Sequence, residues 1–225
     1  MNKIICTWDP LSDCEKCVLH ERLDCKWSGK RLLEFNIIIL PAILCAVLGL
    51  IVIGMTNGMW WPLIAYIAFF PVVLGVFELR FLCSHCPFYA ENGNILHCLA
   101  NHGLVKLWSY HPEPMNRFEK KLMIILIILM GIVFPVAIFG FNIYFFFVNP
   151  EKFGHIMLTL NIGLALITIL FEINAAFIGY NHLCNRCINF SCPFNSVPKI
   201  VVDTYLKKNI TMRKAWEKTG YVLDD

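Results

Sequence analysis

The sequence predicts an all-α polytopic membrane protein, with four transmembrane helices arranged as two hairpins and a cysteine-rich cytoplasmic cap. The 225 residues are 58% hydrophobic and only 16% charged, which is too apolar for an ordinary soluble domain. The apolar residues form four uninterrupted runs, and ten of the eleven cysteines lie outside those runs. These observations separate a bilayer-embedded part of the chain from a polar part that is rich in thiols.

The four apolar runs are each long enough to cross a bilayer as a helix. They cover residues 35–55, 59–82, 122–147 and 153–180, and each reaches the roughly 20 residues that a helix needs at a rise of about 1.5 Å per residue. Residues 56–58 and 148–152 join the runs in pairs. Because these connections are short, each pair must form a tight antiparallel hairpin.

Lysine and arginine are distributed unevenly along the chain. They concentrate before the first run, between the second and third runs, and in the tail, whereas the two hairpin loops contain Lys152 alone. The positive-inside rule then places both termini and the middle loop in the cytoplasm. The net charge of +3 reflects this topology, and no basic, aromatic-interleaved patch points to nucleic acid. The expected partner is the lipid bilayer.

This topology divides the chain into five consecutive segments. They are a cysteine-rich N-terminal segment, a first transmembrane hairpin, a cytoplasmic cysteine and histidine loop, a second hairpin, and a C-terminal segment with a cysteine motif and amphipathic helices, at residues 1–34, 35–82, 83–121, 122–180 and 181–225. Both halves contain a Phe-Glu pair, a C-x-x-C motif and a Cys-Pro-Phe sequence in the same order. We interpret this order as a degenerate parallel repeat, which would place the two cysteine motifs side by side.

The cytoplasmic cysteines are candidate metal ligands. In a reducing cytosol disulfides are disfavoured, and two thiolates in a C-x-x-C turn can converge on one ion. The candidate ligands are Cys6, Cys14, Cys17, Cys25, Cys83, Cys86, Cys98, Cys184, Cys187 and Cys192, with His97, His102 and His182 as additional candidates. The remaining cysteine, Cys45, lies inside the first run and fits a small buried hydrophobic residue.

Two kinds of metal centre fit this set of residues. Zinc would take tetrahedral sites of four thiolates, or of three thiolates and one imidazole. Iron–sulfur clusters also use four cysteines, and a proline after the last ligand, as in Cys86-Pro87 and Cys192-Pro193, is a ferredoxin feature. Haem attachment is excluded at the C-x-x-C pairs, because none of them is followed by histidine. The expected cofactor is therefore an iron–sulfur cluster or Zn²⁺.

In architecture the chain resembles the four-span quinol-oxidising subunits of the periplasmic nitrate reductase type. Those subunits have Cys-x-x-x-Cys-Pro motifs at the cytoplasmic ends of their helices, whereas this chain has C-x2-C-P ending at Pro87 and C-x4-C-P ending at Pro193. The two soluble ferredoxin modules of that family have no counterpart in this sequence. The resemblance implies electron transfer at a membrane.

We therefore expect an iron–sulfur protein that transfers electrons between a cytoplasmic donor, such as a soluble redox protein, and a membrane carrier or partner subunit. A zinc-stabilised scaffold or adaptor is the alternative. A quinone-linked thiol–disulfide oxidoreductase, which the four-helix architecture also resembles, would need its cysteines to face an oxidising compartment. Metal transport is a weaker alternative, because Cys45 is the only cysteine within the apolar runs.

Two glutamates within the runs are candidate catalytic residues, because a carboxylate at membrane depth is energetically costly. Glu78 has Arg80 two residues away, so we expect Glu78 to pair with this cation or to reach the interface. Glu172 has no cation nearby in the sequence, and we expect it to matter more to activity than Glu78. Asn142 and Asn161 fit interhelical hydrogen bonds.

Overall fold

The computed structural model describes residues 6–9, 11–149 and 155–224. Within these residues, four helices are long and apolar enough to cross a membrane: α1, Gly29–Asn57; α2, Trp61–His85; α3, Arg117–Val148; and α4, His155–Cys184. They match the four predicted runs, so the four-helix membrane class is confirmed. Residues 1–5, the part of the second hairpin loop at 150–152, and the predicted start of the fourth run at 153–154 lie outside the described residues.

Helices α1 and α3 begin earlier than hydropathy predicts. Helix α1 starts at Gly29 rather than at residue 35, and α3 starts at Arg117 rather than at residue 122. In α3 the polar first turn is held by a capping box. The Asn116 side chain accepts from the Glu119 N–H at 2.9 Å, and the Glu119 carboxylate accepts from the Asn116 N–H at 2.9 Å. Such capping stabilises a helical turn that apolar length alone does not reveal.

Three π-helical turns interrupt the spans within the described residues, at Val73–Glu78, Leu129–Val133 and Gly179–Cys184. Turns of this kind are rare and often occur at functional sites. The first and the third lie near the cysteine-bearing ends of α2 and α4. Because the wider turn rotates the residues that follow it, these two turns help to set the direction in which each C-x-x-C motif leaves its helix.

Polar side chains link the spans inside the bundle. Asn57 donates from Nδ2 to Asn142 Oδ1, and Asn142 donates from Nδ2 to Asn161 Oδ1 at 2.5 Å. Asn142 and Asn161 are fully buried, so their expected role in interhelical hydrogen bonding is confirmed. The apolar core of the same bundle contains Leu50, Ile53, Tyr66, Phe139 and Ala165.

The polar segments outside the spans pack together in a second buried core. This core contains Leu19 from the N-terminal segment, Phe88 from the middle loop and Tyr205 from the C-terminal segment. The backbone joins two of these segments directly, since the Asp24 N–H donates to Arg186 O at 2.9 Å. The three polar segments therefore lie at the same end of the bundle.

Two short helices follow α4, namely α5 at Lys199–Lys208 and α6 at Ile210–Lys218. The buried carboxylate of Asp203 on α5 accepts hydrogen bonds from Lys199 Nζ at 2.7 Å and from the Tyr221 hydroxyl at 2.7 Å. Burial acts to raise the pKa of Asp203, but these hydrogen bonds outweigh it and hold the pKa below its ordinary value. The charged carboxylate thus ties the end of the chain to α5.

Candidate metal–thiolate sites

The ten predicted ligand cysteines fall into two spatial groups, and within each group the thiols lie in electrostatic range of one another. The N-terminal thiol group consists of Cys6, Cys14, Cys17 and Cys25. The central thiol group consists of Cys83, Cys86, Cys98, Cys184, Cys187 and Cys192. All of these cysteines are free thiols. The central group unites the middle loop with the C-terminal segment, whereas the first group comes from one continuous stretch of chain.

The N-terminal thiol group is built from turns rather than from helix. The Cys17 N–H donates to Cys14 O at 3.3 Å and closes the C-x-x-C turn. The fully buried Asn209 holds Cys6, because the Cys6 N–H donates to Asn209 Oδ1 at 2.6 Å and Asn209 Nδ2 donates to Cys6 Sγ at 3.4 Å. Sequence reasoning missed Asn209, since its partner lies 203 positions away.

Burial makes ionisation costly in the N-terminal thiol group. It raises the pKa of Cys25 to about 12, and the neighbouring thiols of Cys6 and Cys14 add to the increase. Burial also raises the pKa of Cys6, although the hydrogen bond from Asn209 opposes this shift. Both thiols are therefore protonated at neutral pH, and a metal that bound them would release their protons.

The two C-x-x-C motifs at the ends of α2 and α4 are neighbours. Asn189 Nδ2 donates to Leu82 O at 2.9 Å and bridges the two motifs. The Cys187 thiol is close enough to Cys86 to raise its pKa, and the Cys98 thiol of the middle loop acts in the same way on both Cys86 and Cys187. This juxtaposition agrees with the expectation that the two motifs lie side by side.

Two thiols of the central group, Cys98 and Cys187, accept a backbone N–H from the residue two positions later. At Cys98 two N–H groups donate at 3.4 and 2.9 Å, and at Cys187 one donates at 3.4 Å. Hydrogen bonds to sulfur favour the thiolate and surround metal-bound cysteines.

Burial opposes ionisation in the central group as well. It raises the pKa of Cys98 to about 11 and that of Cys192 to about 12, whereas the backbone hydrogen bonds to both sulfurs act in the opposite direction. Burial also raises the pKa of Cys86 and of Cys187, and neighbouring thiols add to both increases. The group therefore combines donors that stabilise thiolates with surroundings that penalise uncompensated negative charge. A bound cation would satisfy both conditions.

The three predicted histidine ligands contact other groups. His97 Nδ1 lies 2.6 Å from the carboxylate of Glu91. The His102 ring stacks on Trp27 with a centroid distance of 4.8 Å. His182 Nε2 lies 3.0 Å from a guanidinium nitrogen at the start of α1. A metal-bound histidine also commonly donates its other ring nitrogen to a carboxylate, so metal ligation by these three histidines stays a prediction.

The carboxylate at the central thiol group is Glu78, which accepts a hydrogen bond from Asn101 Nδ2 at 2.7 Å. Asn101 Nδ2 also lies 3.3 Å from Cys83 Sγ, to which it donates. Arg80 instead lies 3.9 Å from the carboxylate of Glu119. The expected pairing of Glu78 with Arg80 is therefore wrong, because residues two positions apart on a helix do not face each other.

Glu172 is placed differently. It is half-buried on α4 and lies in electrostatic range of Tyr66 on α2. Along the helix it is about 18 Å from Cys184, at about 1.5 Å per residue. Glu78 rather than Glu172 is thus the carboxylate placed to influence the central thiols.

Within the described residues, no three His, Cys, Asp or Glu side chains are arranged so that they could hold a metal ion. A metal at either thiol group would have to draw the sulfurs closer together. No family model, no curated protein and no solved structure matches this chain. The fold defines the class as an all-helical protein with four candidate membrane spans, and its function has to be argued from the two thiol groups.

Proposed function

We propose that this chain is a membrane iron–sulfur protein that transfers electrons between a cytoplasmic donor and a membrane carrier or partner subunit. The central thiol group is the observation that supports this most strongly, because six free thiols from two distant segments lie together there. Six ionised thiolates would repel one another there, so the arrangement implies either a bound cation or protonated thiols, and we propose the cation.

We assign one four-cysteine site to Cys86, Cys98, Cys187 and Cys192, because backbone N–H groups act to lower the pKa of each of these thiols. Four cysteines are the usual ligand set of an iron–sulfur cluster, and hydrogen bonds to the sulfurs tune its reduction potential. Cys83 and Cys184, each the first cysteine of its motif, would then lie beside the site. The N-terminal thiol group would provide a second four-cysteine site.

The position of the central group suits electron transfer. It adjoins the ends of α2 and α4, between the bundle and the packed polar segments. A bound cluster would supply a one-electron carrier at this boundary. Asn101 donates to both Glu78 and Cys83, so it would orient the charge closest to the site.

We also propose that both termini and the middle loop are cytoplasmic. The excess of lysine and arginine in these segments supports this, and so does their packing at one end of the bundle. An impermeant thiol reagent applied to intact cells should leave Cys14, Cys98 and Cys187 unlabelled, with permeabilised, chelator-treated cells as the control. Labelling in intact cells would contradict this orientation and favour the thiol–disulfide alternative.

The proposed repeat of two hairpins with a cysteine cap has two supports. Helices α2 and α4 each contain a π-helical turn near the C-x-x-C motif, at Val73–Glu78 and Gly179–Cys184. At Cys86 and Cys192, the cysteines of the two Cys-Pro-Phe sequences, the backbone N–H two positions later acts to lower the pKa of the thiol. These likenesses support the proposed repeat.

A zinc-stabilised scaffold is the second candidate, and the N-terminal thiol group favours it. Its four thiols sit in turns, and the described residues between 6 and the start of α1 contain no helix. Such a segment has little regular structure of its own, and a four-thiolate zinc site would fold it directly.

Anaerobic purification with analysis of iron, zinc and inorganic sulfide tests the proposal. Iron with sulfide and a broad absorption band at about 400 nm would support it. The Cys86→Ser/Cys187→Ser double variant should lose the metal of the central site, whereas the Cys45→Ser control should keep all of it. Colourless protein with zinc alone would favour the scaffold, and protein that contains no metal would refute both candidates.

A further inference from the structure

The middle loop folds back on itself in a short arm. Its two sides are joined by three backbone hydrogen bonds, from Leu96 N–H to Leu104 O at 2.8 Å, from Gly103 N–H to Leu96 O at 2.9 Å and from Lys106 N–H to Asn94 O at 2.7 Å. Ile95 and Val105 form the bridge pair. Gly103 has a φ of 84°, which permits the return turn. We call residues 94–108 the arm.

The two faces of the arm have different environments. Leu96 and Cys98 are buried in the core of the polar segments. On the opposite face, Ile95 is 51% exposed, and Val105 and Leu107 are each 58% exposed. The Ile95 and Val105 side chains form the bridge pair and so point to the same side of the arm. The arm thus presents exposed apolar side chains outside the core, and we call Ile95, Val105 and Leu107 its apolar face.

Both ends of the arm lie against the ends of membrane spans. The Trp108 ring lies 5.8 Å from the guanidinium carbon of Arg80, which is near the end of α2. The His102 ring stacks on Trp27, two residues before α1 begins. The two ends of the arm therefore lie beside the ends of spans α1 and α2.

We propose that the apolar face of the arm inserts into the headgroup and acyl-chain boundary of the bilayer. Tryptophan is a usual anchor at this depth, because the indole ring is amphipathic. Trp108 is 40% exposed, which leaves part of its ring available to lipid. The arm also contains Cys98, so its membrane contact fixes one thiol of the central group relative to the bilayer.

Photo-crosslinking in the full-length protein tests this insertion. p-Benzoyl-phenylalanine replaces Val105 or Leu107 in separate variants, in nanodiscs of phosphatidylcholine and phosphatidylglycerol. Phe141 on α3 is the lipid-facing control position, at 51% exposed, and Leu11 is the aqueous control, at 90% exposed. All four side chains are exposed, so the replacements leave the buried cores unchanged.

Lipid adducts at Val105 and Leu107 should exceed those at Leu11 by about tenfold, since burying one apolar side chain favours the bilayer by about that factor. A yield of lipid adducts no higher than at Leu11, or crosslinks to a second copy of the chain, would overturn the proposal.

Brominated acyl chains, which quench the fluorescence of tryptophans that contact lipid, give an independent measurement. Trp108→Phe should reduce the lipid-quenchable tryptophan fluorescence, and an unchanged quenchable fraction would also overturn it.

Discussion

Replacing Asn209 with Ala should loosen the N-terminal thiol group while leaving the central group unchanged. The Asn209 side chain accepts from the Cys6 N–H, donates to Cys6 Sγ, and donates to Tyr205 O at 2.8 Å. Asn209 is fully buried, so water cannot replace these hydrogen bonds without local opening. The substitution keeps the backbone and removes the side-chain link between Cys6 and the C-terminal helices.

The size of the effect follows from the hydrogen bonds that are lost. A buried polar group left without its partner costs about 1–3 kcal/mol, and the Cys6 N–H is the main group exposed to this penalty. We take about 2 kcal/mol as the decrease in the free energy of local opening, which corresponds to a roughly 30-fold increase in the open population.

The assay is residue-resolved alkylation of the chelator-treated protein, followed by mass spectrometry. Labelling of Cys6 and Cys25 in Asn209→Ala should become faster by up to about 30-fold, because both thiols are partly covered and local opening exposes them. Labelling of Cys98 should change little, since the central group has its own hydrogen bonds.

The matched control is Asn181→Ala. Asn181 is exposed on α4 and donates to Phe177 O at 2.8 Å, so its loss removes a solvated hydrogen bond only. Equal labelling rates in Asn209→Ala and in the control would refute the reasoning, and so would a parallel acceleration at Cys98.

Three other substitutions test separate parts of the structure. Asn142→Ala should lower the stability of the bundle by about 1 kcal/mol in detergent unfolding, and an unchanged midpoint would contradict a stabilising interhelical network. The pKa of Asp203 is lower in the folded protein than in the unfolded chain. The charged carboxylate therefore stabilises the fold above its unfolded pKa of about 3.9, and this stabilisation is lost as the pH falls through the folded pKa. Asp203→Asn should flatten this acid dependence in pH-unfolding curves. Glu78→Gln should raise the reduction potential of a metal centre in the central group, because it removes a nearby negative charge. Glu172→Gln should leave that potential unchanged. A redox titration in which Glu172→Gln shifts the potential more than Glu78→Gln would restore the original expectation for Glu172.

Much of the membrane architecture could be predicted from the sequence, because bilayer insertion depends on local properties. Apolar length identified the four spans, and the buried positions of Asn142 and Asn161 followed from isolated amides in apolar runs. The starts of α1 and α3 were placed too late, since their first turns are polar. At α3, the capping box between Asn116 and Glu119 stabilises that turn.

The sequence by itself determined which residues could take part in thiol chemistry, through the spacing of the cysteines. The proposed repeat also predicted that the two helix-end motifs lie side by side. Only the tertiary structure decided which groups surround the sulfurs, since it brought in Asn209 and Asn101 as hydrogen-bonding partners and placed Glu78 rather than Glu172 beside them. The physical reason is that these contacts join segments far apart in the chain, so they depend on how whole segments pack and leave no signal in local periodicity or spacing.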